Sequence, residues 1–323
     1  MRYPKAKVST FLGGSMLAVS LSLAAPYAVA SEDVEVTFAS PPWPGVTVKT
    51  TIASMLLGHL GYETSQQEVS VAIAYEALET GDVDAFLAAW LPNQQALYRQ
   101  YVEKGSVLDL GGNVEGGQIG LVVPRYVAEA GVTSAEDLDK QEFSERFGRT
   151  IYSIEAGSGA SEILNQGVED DIYGIGDWAL SETSTPGMLS AIDNAIDREE
   201  WVVFHAWNPH WMNIEYDVVY LDDPEGMWGD DGGRTEIRTL MNPGFSDAHP
   251  NIRRFLDQLA FTADDQSAMI RGFSYEERSP EAVAHDWVNC HPQRIREFVE
   301  GVTTREGEAA WSALQEAFSF SDA

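Results

Sequence analysis

The sequence predicts an α/β protein with largely parallel sheets, and three observations support this. Short apolar, β-branched runs alternate with segments of helical period along the chain. Glycine and proline punctuate the junctions between them. The one cysteine, Cys290, excludes an intrachain disulfide, so apolar burial must supply the stability, which a chain of 323 residues has the size to do.

In chain order, residues 34–39 read as a strand and 46–60 as a helix, with apolar Ile52, Met55, Leu56 and Leu60 and a stop at Gly61. Residues 69–73 read as a strand, 74–78 as a short helix ended by Gly81, 83–89 as a strand and 94–102 as a helix. Strands follow at 119–123 and 151–154, then helices starting at Ala160 and Met188, and strands at 201–205, 217–221 and 237–240. The remainder reads as mostly helical. Strands alternating with helices in this way imply parallel pairing.

The first thirty residues have a different purpose. Arg2, Lys5 and Lys7 precede an apolar run over 11–25, and Ala28-Val29-Ala30 is a small-x-small cut site before Ser31. That is the layout of a cleaved secretory signal peptide over residues 1–30. The apolar run is shorter than the roughly 20 residues of a membrane span. No cysteine stands at this cut site, so no lipid anchor is expected, and the expected location is the periplasm.

The chain carries 51 acidic against 20 basic residues, a net charge of −31, and the signal segment holds none of the acids. Such a surface repels nucleic acid and anionic lipid. It favours solubility where salt screens self-repulsion, the Debye length being about 3 Å at 1 M. Stability that rises with added salt is therefore expected. Denaturation midpoints at low and molar salt check this, and equal values sink the idea of a salt-rich habitat.

Three predicted strands end in a tryptophan near proline: Pro42-Trp43-Pro44, Trp90-Leu91-Pro92 and Trp207-Asn208-Pro209. Ligands in open α/β sheets sit beyond the carboxyl ends of strands. Proline restricts its neighbours, so these indoles are held before a ligand arrives. Converging indoles attract a diffuse cation at about 0.5–2 kcal/mol per face. Trp211, in the same turn as Trp207, is the fourth candidate. An anionic end of the same ligand needs donors. Gly45 and Val46 open one predicted helix, Gly157 and Ser158 precede another, and His210 adds a ring N–H.

These stretches resemble the periplasmic glycine betaine/choline-binding proteins of ABC importers. The resemblance rests on the run from Gly81 to Pro92, on Gly116-Gly117-Gln118-Ile119-Gly120-Leu121-Val122-Val123-Pro124 and on Trp207-Asn208-Pro209-His210-Trp211-Met212. It implies a bilobal, type II periplasmic binding fold with two crossing strands. Lobe 1 is then 31–115 plus 236–323, and lobe 2 is 116–235. It also implies a partner permease and ATPase at the inner membrane, no cofactor, no metal and a monomer.

Choline-binding members resemble this chain at the first tryptophan but carry Asp where Gly45 stands and Tyr where Ile119 stands. A net cation benefits from that carboxylate, whereas a zwitterion is repelled by it. Glycine betaine is therefore the expected ligand, with choline, carnitine and trimethylamine N-oxide left open. Phe261 occupies the neighbourhood where some betaine binders place a further cage tryptophan, and is expected to be core. An enzyme is the rival class. Ala156 breaks the glycine pattern of a nucleophile elbow around Ser158, and His205 and His210 lack helix-face metal spacing, so no catalytic residue is assigned.

Overall fold

The computed structural model describes Met1, residues 34–229 and residues 231–320. The expected signal peptide, beyond Met1, lies outside the described residues. Within the compact unit that begins at Val34, nine strands form one sheet. They are β1 (Glu35–Ser40), β2 (Glu63–Glu68), β3 (Ala85–Leu91), β4 (Leu108–Pro124), β5 (Thr150–Ser153), β6 (Ala179–Glu182), β7 (Val203–Asn208), β8 (Val218–Tyr220) and β9 (Arg234–Met241). The order is β2-β1-β3-β9-β4-β7-β5-β6, with β8 on β4.

Pairing is parallel at each end of the sheet, for β2-β1-β3 and for β7-β5-β6. It is antiparallel through the middle, where β9 joins β3 to β4 and β4 joins β7. The sheet is thus more mixed than strand–helix alternation alone predicts.

Two apolar cores flank this middle. One gathers Val36 and Phe38 of β1, Phe86 of β3, the helix Pro44–His59 and the C-terminal helices. The other gathers Leu121 and Val123 of β4, Ile151 of β5, Phe204 of β7 and the helices Gly159–Glu169 and Thr185–Asp197. The long strand β4 contributes Val114 to the first core and Ile119 to the second. Its pairing with β9 shifts register at three places along a glycine-rich stretch. A Cβ on Gly117 would lie 2.7 Å from the Thr235 side chain and 2.8 Å from its carbonyl, so this crossing requires glycine.

Local chemistry explains the elements. Pro44 occupies the first turn of Pro44–His59, where a missing N–H costs nothing. Ser158 and Ser184 cap their helices by accepting from Ser161 and Gly187 N–H. The strand expected over 69–73 is replaced by the start of the helix Val71–Thr80, because Ser70 caps it and Gly81 closes it in the left-handed region at φ 82°. The strand of this region is instead the polar β2, paired to β1 at the sheet edge. Trp90 and Trp207 lie inside the last turns of β3 and β7 rather than after them. Phe261 is buried against Trp287 and Phe298 in the first core.

Candidate functional site

Residues from both cores line one cavity, among them Trp43, Trp90, Trp207, Val46, Ile119 and Ile270. Each indole is held by its surroundings. Trp43 caps the Pro44–His59 helix in extended conformation and donates its Nε1–H to Glu155 Oε1 at 2.5 Å, a bond from the β1 tip to the loop after β5. Trp90 packs against both cores, and its carbonyl accepts from Gln94 N–H at 2.8 Å. Gln94 is in turn fixed by Tyr75 Oη at 3.1 Å and by the Ala88 carbonyl at 3.2 Å. Trp207 stacks on His205 with centroids 5.2 Å apart and 25° between planes, and His205 stacks on Trp228 at 5.3 Å and 18°.

Polar groups meet the same cavity. Gly45 and Val46 stand in the first turn of their helix, where N–H groups have no intrahelical acceptor. Among the described residues these two donate to nothing else. Gly159 and Ala160 are in the same position at the second helix start, whereas Ser158 Oγ is engaged in capping Ser161. A Cβ on Gly159 would lie 2.6 Å from the Asn93 carbonyl, so this helix start comes close to the β3 tip only because the residue is glycine. His210 Nδ1 accepts from Met212 N–H at 3.2 Å, which places the ring proton on Nε2. That atom is buried without a protein partner, and His210 lines the cavity. Burial pushes the pKa values of both His205 and His210 down to about 3, so both rings are neutral.

Two of the expected residues lie elsewhere. Trp211 begins the short helix Met212–Glu215 with helical backbone and does not line the cavity. It donates to Ser274 Oγ at 2.8 Å and packs on Tyr216 and Tyr275, backing the His210 ring at 5.3 Å. Gly157, at φ 82°, lines a neighbouring recess with Glu68 and Glu155.

Lys49, His205 and Gln266 are among the lining residues that the sequence reading did not assign to the site. Gln266 occupies the space beside Gly45, its Nε2 2.5 Å from where a Cβ would sit. No residue type or spacing marks Gln266 in advance, because it reaches the site from the distant helix Ala263–Ile270.

Aromatic faces and unpaired N–H groups contributed by two cores to one cavity define a solute-binding protein. The chain belongs to the OpuAC family, the substrate binding domains of ABC-type glycine betaine transport systems, whose model matches residues 34–289. An uncharacterised protein of Chromohalobacter salexigens is 43% identical over 136 residues, covering 42% of this chain and 86% of that protein. The glycine betaine/carnitine transport binding protein GbuC of Listeria monocytogenes is 28% identical over 56% of this chain, and the match spans 59% of its own length.

Among solved structures, an ABC-transporter choline binding protein in complex with choline matches with a TM-score of 0.84 at 27% identity, over 88% of this chain and 98% of that one. Lactococcal OpuAC, closed on glycine betaine, matches at 0.75 and 27%, over 83% and 100%. The fold is that of the type II periplasmic binding proteins. The family is one of transport binding proteins rather than enzymes. Among the described residues no helix is long and apolar enough to cross a membrane.

Proposed function

We propose that this protein captures glycine betaine, holding its trimethylammonium head among Trp43, Trp90 and Trp207. The carboxylate is received by the N–H groups of Gly45 and Val46 and by His210 Nε2–H. A quaternary head has no N–H to donate, so indole faces suit it better than a carboxylate does. The observation that carries this reading is the presence of three indoles and several unpaired donors in one cavity whose lining includes no Asp or Glu. The absence of a carboxylate disfavours choline, although a choline-bound relative shares the fold.

On this reading the chain is secreted and works outside the cytoplasm. Lobe 1 comprises residues 31–115 and 236–323, and lobe 2 residues 116–235. A ligand touching both lobes favours the closed state by its differential affinity, and the importer's permease and ATPase receive that form. Tryptophan fluorescence against a panel of quaternary amines tests the ligand, since the proposed site reports on itself. Tightest binding is expected for glycine betaine. Tightest binding for choline, with betaine weak, overturns the assignment of the carboxylate end.

A further inference from the structure

We infer that the ammonium group of Lys49 makes this cavity select zwitterions over net cations, by adding a buried positive charge beside its anion-receiving end. The inference rests on the quaternary-amine reading of the site. Lys49 follows Gly45 by four residues on the same helix, which puts the two on one face. Both line the cavity, and Lys49 is 1% exposed. Its Nζ donates to the Leu87 carbonyl at 2.8 Å and to Asn113 Oδ1 at 2.6 Å. Asn113 is oriented for this by donating its own amide to the Leu87 carbonyl and to Thr239 Oγ1, both at 3.0 Å. Both acceptors are neutral, and an ammonium has three N–H groups.

Among the described residues Lys49 has no ion-pair partner. A buried charge without a counter-charge is unfavourable, and burial alone brings the Lys49 pKa down to about 7. A ligand carboxylate received at Gly45 and Val46 supplies the missing counter-charge. A ligand that is only a cation places a second positive charge in the same low-dielectric space. No side chain on the cavity wall offsets it, because the other titratable lining groups, His205 and His210, are neutral. None of the carboxylates on the helices packed against Pro44–His59, namely Asp264, Asp265, Glu281, Asp286 and Glu316, lines the cavity. Asp265 accepts from Thr262 and Trp287, and Asp286 pairs with Arg278. Glu155 is held by the Trp43 indole.

The test is isothermal titration with glycine betaine and with choline at pH 6, where Lys49 is charged, on the wild type and on Lys49→Met. The variant is expected to lower the preference for betaine over choline at least tenfold. A ratio unchanged in a variant whose circular dichroism matches wild type overturns the inference.

A second measurement needs no variant. At pH 8 free Lys49 is largely neutral, and a carboxylate beside it raises its pKa. Betaine binding should therefore take up most of a proton, read as a dependence of the heat on buffer ionisation enthalpy. The same titration at pH 6 should show almost no uptake. Betaine binding without proton uptake at any pH from 7 to 10 overturns the role of Lys49 while leaving the site itself standing. A wild type that binds neither ligand removes the site reading and this inference together.

Discussion

Replacing Trp90 or Trp207 by alanine is expected to weaken glycine betaine binding at least tenfold, about 1.4 kcal/mol. Each indole offers a cation-attracting face worth about 0.5–2 kcal/mol and also apolar area that leaves water when the ligand binds. Neither ring has to be ordered at the moment of capture. Trp90 is fixed by the Gln94 turn and wedged against both cores. Trp207 lies in a stack with His205 and Trp228. Truncation therefore removes a prepaid surface, and nothing nearby is placed to replace it. Titration calorimetry measures the loss, with circular dichroism as the control for folding. Unchanged affinity in both variants removes the aromatic cage.

A steep loss of stability in acid is the second large effect. His205 and His210 bind protons in the native state only near pH 3, whereas an unfolded histidine binds them below about 6.5. Between these values the unfolded chain holds more protons, so stability rises with pH and falls as pH drops from 6.5 toward 3. At pH 5 the difference is about 2 kcal/mol per histidine, and about 4 for both. That is a large part of the roughly 5–15 kcal/mol of a typical domain.

Urea unfolding of wild type and of His205→Phe at pH 7 and pH 5 isolates the effect from that of the many carboxylates. The variant keeps a ring in the stack and removes two buried nitrogens that have no protein partner. It should lose about half of the histidine-linked slope, and parallel pH profiles would show that His205 is not held neutral by burial. Lys49 extends the trend upward. Unfolded lysine binds a proton below about 10.5 and the native one only below about 7, so stability keeps rising between those values.

Much of the site was legible because its aromatic members sit in an unusual local context. A tryptophan at a strand end close to proline is a poor candidate for packed interior, and Trp43, Trp90 and Trp207 all reach the cavity. Trp211 shared that neighbourhood but not its backbone, since the chain had already turned into a helix. Lys49 was invisible for the opposite reason. A lysine inside a helical pattern reads as solvent-facing, and only the tertiary packing of β3 and β4 against this helix buries it.

The strand β2 was missed because Glu63–Glu68 carries no apolar alternation, and its pairing comes from the edge that β1 offers. The long β4 was read as a short strand at 119–123. Its glycine-rich first half lacks a strand pattern and is held by hydrogen bonds to β9 through bulges.

Each core packs its own apolar residues, while the three indoles lie only partly buried at the seam where the cores meet. Durability and ligand preference are therefore governed by largely separate sets of positions. Substitutions deep in either half should alter how long the molecule survives while sparing what it recognises. Drift at the handful of seam residues should redirect recognition without undoing the scaffold.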